Sequence, residues 1–109
     1  ETIFNQSFAA LKPGGVFGVV EHRAKSGTSM ELMKKSGYVT EQFAIGLALK
    51  TGFRLVAKSE INTNPKDTKD HPKGVWTLPP SYRLGDKDYD KYSDIGESDR
   101  MTLLFQKPL

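Results

Sequence analysis

The sequence predicts a single α/β domain, and three observations support this prediction. Helical and strand patterns alternate along the 109 residues in the order helix, strand, helix, strand, long insertion, strand. The first strand is a continuous apolar run, which is typical of a strand buried on both faces in a parallel sheet. The composition, 37% hydrophobic and 27% charged, is that of a folded globular protein and not of a disordered one.

The first third of the chain predicts a helix and the buried strand. Residues 1–11 place apolar side chains on one helical face. The Pro-Gly-Gly run at residues 13–15 ends this helix and turns the chain. The strand over residues 16–20 follows, with the sequence VFGVV. Because its residues do not alternate between apolar and polar, we expect both of its faces to be covered.

The second helix has the clearest boundary signals. Residues 24–37 are rich in Ser, Gly and Lys and predict a loop with a short helical turn at residues 30–34. Thr40 is the predicted N-cap of the helix that follows, since a Thr hydroxyl can accept a hydrogen bond from a free amide of the first turn. Gly52 is placed to end that helix in a left-handed conformation.

The rest of the chain predicts two strands around a long insertion. Residues 53–61 alternate, with Phe53, Leu55, Ala57 and Ile61 on one side. Residues 100–106 alternate in the same way. The insertion over residues 62–99 is rich in Pro, Gly, Asp and Lys but carries aromatic and aliphatic side chains. We expect this apolar material to pack the insertion against the domain.

The charges argue against several classes of function. The net charge is +3, and positive and negative charges nearly cancel within the insertion. A basic stripe with interleaved aromatic residues, as found on nucleic-acid-binding surfaces, is missing from the sequence. No apolar run approaches the ~20 residues that span a bilayer. The absence of cysteine excludes disulfides and thiolate metal sites and fits a reducing compartment, for which the cytoplasm is the default.

We expect no metal site. The acidic run between Asp86 and Glu97 matches several ligand positions of an EF-hand, but Lys91 occupies the position that requires Gly for a sharp turn. A solvated acidic loop is the better interpretation. His22 and His71 could join a carboxylate as metal ligands, but they lie in different elements and have no local ligand spacing.

The motif LKPGG at residues 11–15, followed by this order of elements, resembles the C-terminal half of class I S-adenosylmethionine-dependent methyltransferases. The resemblance implies a Rossmann-like, seven-stranded sheet, of which this chain would supply strands five to seven. The last strand would return antiparallel between the other two. The stretch NPKDTKDHPKGVWTLPP at residues 64–80 further resembles a bacterial group of predicted methyltransferases. The implied activity is methyl transfer to a small nucleophilic substrate.

The chain departs from the family where the cofactor binds. The family holds S-adenosylmethionine with a Gly-rich loop after its first strand, whereas Gly14, Gly15 and Gly18 precede or enter a strand here. We therefore expect the complete protein, and not this chain alone, to bind the cofactor. Because the chain begins at Glu1 and enters directly into a helical pattern, we expect it to be a segment of something longer.

Three ionisable residues follow the apolar strand. Ligands of open α/β sheets bind outside the carboxyl ends of the strands, which is where Glu21, His22 and Arg23 fall. Alternation places Glu21 and Arg23 on one side and His22 on the other. His22 is a candidate general base, or a histidine that merely hydrogen-bonds a nearby loop. Glu21 is a second catalytic candidate that could orient a substrate amine or pair with Arg23, itself a candidate for substrate binding.

The insertion supplies the remaining candidates. Asp70, His71 and Trp76 could belong to a lid that closes over the crevice and contacts the substrate. In the alternative, Trp76 anchors the insertion on the core while Asp70 and His71 face solvent.

A non-enzymatic function is the main alternative to the enzyme. The apolar strand at residues 16–20 would expose one edge in this chain, and it carries neither charge nor proline to protect that edge. The chain would then be a half-domain that acts as an interaction or oligomerisation module. Its partner would be a missing N-terminal half or a second copy, and the partner of the enzyme would be a small-molecule substrate.

Overall fold

The computed structural model describes residues 2–109, which form a three-stranded sheet with helices packed against one face. The elements in chain order are α1 (Thr2–Ala10), β1 (Val16–His22), α2 (Met30–Ser36), α3 (Glu41–Thr51), β2 (Arg54–Ser59), a 3₁₀ turn (Gly74–Thr77), α4 (Tyr89–Ile95) and β3 (Arg100–Gln106). The predicted first helix is confirmed as α1, except that residue 1 lies outside the described residues. Within residues 2–109, no helix has the length and apolar character needed to cross a membrane.

The sheet has the order β1-β3-β2, and β3 is antiparallel to both of its neighbours. Val16 pairs with Gln106 and His22 with Arg100, so β1 is matched to β3 along its whole length. β1 and β2 therefore run parallel to each other. The expected return of the last strand between the other two is confirmed, and the described fold is a mixed α/β unit.

The main core lies between the sheet and the pair of helices α1 and α3. Met101, Leu103 and Phe105 alternate along β3 and are fully buried against Phe4 of α1 and Ala48 of α3. The N-cap of α3 is as predicted, because the Thr40 hydroxyl accepts a hydrogen bond from the Phe43 amide at 3.1 Å. Burial of one apolar face of the sheet holds these elements together.

The expectation that β1 is buried on both faces is wrong. Phe17 and Val19 pack on the core, but Val16 and Val20 on the opposite face are 56% and 49% exposed. Helices cover only one face of the sheet within the described residues. β1 also continues to His22, so Glu21 and His22 belong to the strand and do not follow it.

The predicted second strand is shorter than expected and contains a bulge. The pairing of β2 with β3 shifts its register between Leu55 and Ala57. A bulged residue has no partner and reverses the inward and outward alternation beyond it. Ala57 and Ile61, which the pattern placed on the same side as Phe53, are consequently exposed, and Ile61 lies beyond the strand.

The two outer edges of the sheet differ in protection. The Arg23 amide donates to Asp99 O and the Lys107 amide donates to Gly15 O, so odd-numbered residues of β1 face β3. The amides and carbonyls of Val16, Gly18 and Val20 therefore point to the open edge of β1. That edge carries no charge, whereas the edge of β2 has the bulge and two basic residues, Arg54 and Lys58.

The insertion packs on the domain, as expected. Leu78 and Tyr92 are buried, and Val75 joins Ala24 and Tyr38 in a second apolar cluster. Two segments are more regular than predicted. The acidic stretch that was expected to be a loop contains α4, and the short turn at residues 30–34 extends to the full helix α2.

Candidate functional site

His22 is the last residue of β1. It lies against Ser98, which comes two residues before the start of β3. Its Nδ1 is 2.6 Å from the hydroxyl oxygen of the buried Ser98. Burial is the main cause that lowers the pKa of His22 below its ordinary value, and the nearby negative charge of Glu21 opposes this only in part. His22 is therefore neutral at pH 7. In the tautomer with the proton on Nδ1, the ring donates to Ser98 and leaves Nε2 as a free acceptor.

A small cavity of about 190 Å³ opens beside His22 and Ser98. Its walls come from the insertion, namely the 3₁₀ turn with Val75 and Trp76 and the following Pro79 and Pro80. Trp76 is 40% exposed although its neighbours Val75 and Thr77 are buried, so part of this residue stays open to solvent beside the cavity. The lining of this cavity is therefore about half polar and half apolar.

Glu21 does not share this cavity. It lines a different groove of about 400 Å³ on the other side of β1, between the strand edge, α1 and α3. The predicted alternation, with His22 opposite Glu21, is thus confirmed. The two candidate catalytic residues lie on opposite faces and cannot act on one atom from these positions.

The guanidinium of Arg23 is occupied by partners within the chain. It makes two bonds of 3.0 Å to Asp99, from Nε and Nη2, and one of 2.7 Å to Glu41 at the start of α3. Glu60 and Thr63 accept further bonds on its exposed side. The hydrogen bond to Asp99 is the main cause that raises the pKa of Arg23 above its ordinary value. Arg23 therefore ties β1, α3 and the end of β2 to the start of β3.

Asp99 is the anionic counterpart of this network. Burial by itself raises the pKa of the Asp99 carboxyl, but hydrogen bonds from Arg23 and Lys69 outweigh burial and hold the pKa well below its usual range. The Lys69 ammonium lies 2.8 Å from Asp99, and the amide of Asn64 donates to the same carboxylate. Asp99 thus remains ionised through the whole physiological range.

A second buried carboxylate, Asp67, organises the insertion. It accepts hydrogen bonds from the Tyr38 hydroxyl at 2.8 Å and from the Asp99 amide at 2.9 Å. His71 Nε2 lies 2.8 Å from Asp67 as well. Burial, followed by the bond to Asp67, raises the pKa of Tyr38 far above its ordinary value, so the hydroxyl stays protonated and keeps donating.

Only Trp76, among the predicted substrate-binding residues, lines the His22 cavity. His71 is nearly buried against Asp67, and Asp70 is exposed and bonded to Thr68, whose hydrogen bond is the main cause that lowers the pKa of Asp70. Arg23 borders a wider cavity of about 530 Å³ that is also lined by lysines of three different segments, Lys25, Lys58 and Lys69. The structure therefore brings His22 and Trp76 to one cavity and places the other predicted residues elsewhere, and the roles of all of them stay predictions.

The sequence reasoning missed Asp67, Ser98 and Asp99. The signal available for Ser98 and Asp99 was their position directly before β3, in register with the end of β1. Asp67 carried no such signal, because its partners Tyr38 and Asp99 are distant along the chain and meet it only in the fold.

The described residues do not fit the cofactor that the methyltransferase resemblance implies. In residues 2–109, neither β1 nor β2 leads through a glycine-rich turn into a helix, and the segment after β1 contains a single Gly27 before α2. We assign no cofactor contact to this chain. The described residues also contain no group of three or more His, Asp or Glu side chains arranged to hold a metal ion.

Comparisons with protein-family models, with curated proteins and with solved structures find no match to this chain.

Proposed function

We propose that the chain is the substrate-side part of a class I methyltransferase domain, in which His22 accepts the proton of a small nucleophilic substrate. The observation that carries the proposal is the meeting of His22, Ser98 and Trp76 around one cavity at the carboxyl end of β1. Ligand sites of open α/β sheets lie at that end of the strands. The LKPGG turn before β1 supports the same assignment.

The topology supports the assignment of the three strands to a seven-stranded methyltransferase sheet. An antiparallel last strand between two parallel strands is the arrangement that the resemblance implies for strands five, seven and six. In this proposal β1 is strand five of a seven-stranded sheet. Its open edge, with the free backbone groups of Val16, Gly18 and Val20, would pair with strand four.

His22 suits the role of a base in three respects. It is neutral at pH 7, one ring nitrogen is fixed by Ser98, and the ring lines the cavity. A base held in this way removes the substrate proton as the nucleophile reacts, which contributes about 10²- to 10⁴-fold to the rate. Ser98 is a positioning residue, because its hydroxyl would orient the imidazole and select its tautomer.

A test of this role uses the protein encoded by the complete reading frame. His22→Gln should lower turnover with tritiated S-adenosylmethionine by roughly 10²-fold or more, with little change in the affinity for the cofactor measured by calorimetry. Ser98→Ala should lower turnover less and shift its pH profile, while the exposed Ser93→Ala on α4 serves as the matched control. Unchanged turnover in His22→Gln would remove His22 from the mechanism.

The second candidate is an interaction or oligomerisation module, and the unprotected edge of β1 favours it. An apolar strand with free backbone groups is a template for pairing with another chain. The reading frame upstream of Glu1 separates the two candidates. A strand followed by a Gly-rich loop would support the enzyme, whereas a start codon close to Glu1 would support the module.

A further inference from the structure

The cavity beside His22 has a size and a lining that restrict its ligand. Its volume of about 190 Å³ is below the roughly 300–1,000 Å³ of pockets that enclose drug-sized ligands. It can therefore admit a single ring but not a nucleoside. Val75, Trp76, Pro79 and Pro80 supply the apolar part of its lining, and His22, Ser81, Glu97 and Ser98 supply the polar part.

We propose that this cavity takes a phenol, with the ring packed on Trp76 and the hydroxyl directed at Nε2 of His22. The inference rests on the proposed function and names the class of its substrate. Aromatic rings pack preferentially against other aromatic rings in offset or edge-to-face arrangements. An aromatic ligand therefore packs against Trp76 better than an aliphatic chain of equal size.

The chemistry of His22 favours a phenolic hydroxyl over an aliphatic one. Burial keeps the imidazole neutral, so it offers a lone pair and not a positive charge. A phenol loses its proton near pH 10, as tyrosine does, which brings it within reach of an imidazole base. The described residues that line the cavity include no lysine or arginine, which disfavours anionic ligands such as benzoate or phosphate.

An amine is the competing ligand, because Glu97 and the face of Trp76 could both attract a cation. Two features argue against it. Glu97 already lies 3.8 Å from the guanidinium of Arg100, which offsets its attraction for a second cation, and its side chain is mostly exposed to water. Neutral His22 can accept a hydrogen bond from a cation but gives it no charge partner.

The test uses the single tryptophan of the chain as a probe. In ¹H–¹⁵N spectra the one indole N–H signal belongs to Trp76, and titration with 4-methylphenol should move it along a saturable curve. Toluene lacks the hydroxyl and cyclohexanol lacks the aromatic ring, so each should bind about tenfold more weakly, the equivalent of one lost contact. Benzylamine and benzoate should also bind more weakly than 4-methylphenol.

His22→Gln should weaken the binding of 4-methylphenol by about tenfold and leave the binding of toluene unchanged, since only the phenol forms a hydrogen bond with the imidazole. The exposed Ser93→Ala is the matched control and should bind as the parent does. If His22→Gln does not fold, the ranking of the five probes on the parent chain still decides the question. A ranking led by benzylamine or benzoate, equal binding of all probes, or no saturable shift would each overturn the proposal.

The outcome is separable from that of the proposed function. If the complete protein methylates non-phenolic acceptors and the chain does not bind 4-methylphenol, only the proposal of a phenolic substrate is refuted. If phenol binding is saturable and needs His22 but the complete protein transfers no methyl group, the methyltransferase proposal is refuted and the proposal of a phenol-binding cavity is kept.

Discussion

Arg23 and Asp99 face each other across the junction of β1 and β3, joined by two hydrogen bonds of 3.0 Å between Nε and Oδ2 and between Nη2 and Oδ1. Both side chains are largely removed from water. A forked guanidinium pairs with both oxygens of a carboxylate, which a lysine cannot do. The backbone adds to this junction, because the Arg23 amide donates to the Asp99 carbonyl at 2.8 Å.

Loss of this pair should destabilise the fold. Arg23→Ala leaves Asp99 buried with Lys69 as its remaining cation, and we expect a loss of about 2–4 kcal/mol in the free energy of unfolding. Arg23→Lys should cost less, since it keeps the charge but not the fork. Urea unfolding followed by circular dichroism measures both, with Arg54→Ala as the control for an exposed arginine. Equal losses in Arg23→Ala and Arg54→Ala would contradict this structural role.

Asp67 should contribute nearly as much as Arg23 to the stability of the fold, although it forms no bond to an arginine. In Asp67→Asn one acceptor oxygen becomes a donor that faces the Tyr38 hydroxyl or His71, and we expect a loss of about 1–3 kcal/mol. Asp70→Asn is the matched control, because the Asp70 side chain is exposed and bonded only to Thr68 among the described residues. Thermal unfolding of both variants should show a lower midpoint for Asp67→Asn alone.

The half-buried His22 should make stability depend on pH. Its folded pKa lies below the ordinary value of 6.5, so the unfolded chain binds more protons than the folded one below that pH. The free energy of unfolding should therefore be highest above pH 6.5 and fall as the pH drops through 6.5 towards the folded pKa. Asp99 does not contribute in this window, because its lowered pKa confines its effect to pH values below about 3.9.

The contribution of His22 can be isolated by substitution. When urea unfolding is measured from about pH 8 down to about pH 5, the free energy of unfolding should fall more steeply for the parent chain than for His22→Gln. Identical pH profiles for the two proteins would show that the imidazole is equally solvated in the folded and unfolded chains.

The 109-residue chain should not bind S-adenosylmethionine, because the described residues lack the loop that would hold it. Calorimetric titration should give no saturable heat, while the protein from the complete reading frame, titrated in parallel, should. Micromolar binding to the chain alone would mean that another part of its surface holds the cofactor.

The open edge of β1 should make the chain associate. We expect size-exclusion chromatography with light scattering to show dimers or larger species that dissociate on dilution, and Val20→Lys to restore a species of 12.1 kDa. Val56→Lys is the matched control, since Val56 is equally exposed but lies on the bulge of β2. A monodisperse parent chain of 12.1 kDa would instead show that this edge does not pair in solution.

The elements that the sequence predicted well are those with strong local signals. β3 matches its predicted bounds because Met101, Leu103 and Phe105 recur at every second position and all lie in the core. α3 matches because Thr40 and Gly52 mark its ends. The facing of the second strand was predicted wrongly beyond Val56 because the bulge there arises from pairing with β3, and nothing in residues 53–61 alone indicates it.

The candidate site was predictable only in outline. The position of His22 at the carboxyl end of a strand follows from local pattern, and so does its separation from Glu21. Its partner Ser98 lies 76 residues further along the chain, and the register of β1 and β3 that joins them is a property of the whole sheet. The engagement of Arg23 by Asp99, Glu41 and Glu60 likewise depends on three elements that meet only after folding.

The pairing of β1 with β3 also has a consequence for biosynthesis. Arg23 leaves the ribosome 76 residues before Asp99, which at ~5–20 residues per second is a delay of about 4–15 s. During that interval α1, α3 and β2 exist without Met101, Leu103 and Phe105, which form the centre of their core. The nascent chain therefore leaves the edge of β1 that faces β3 unpaired until β3 is synthesised, and β1, β3 and β2 join into one sheet only when this last strand arrives.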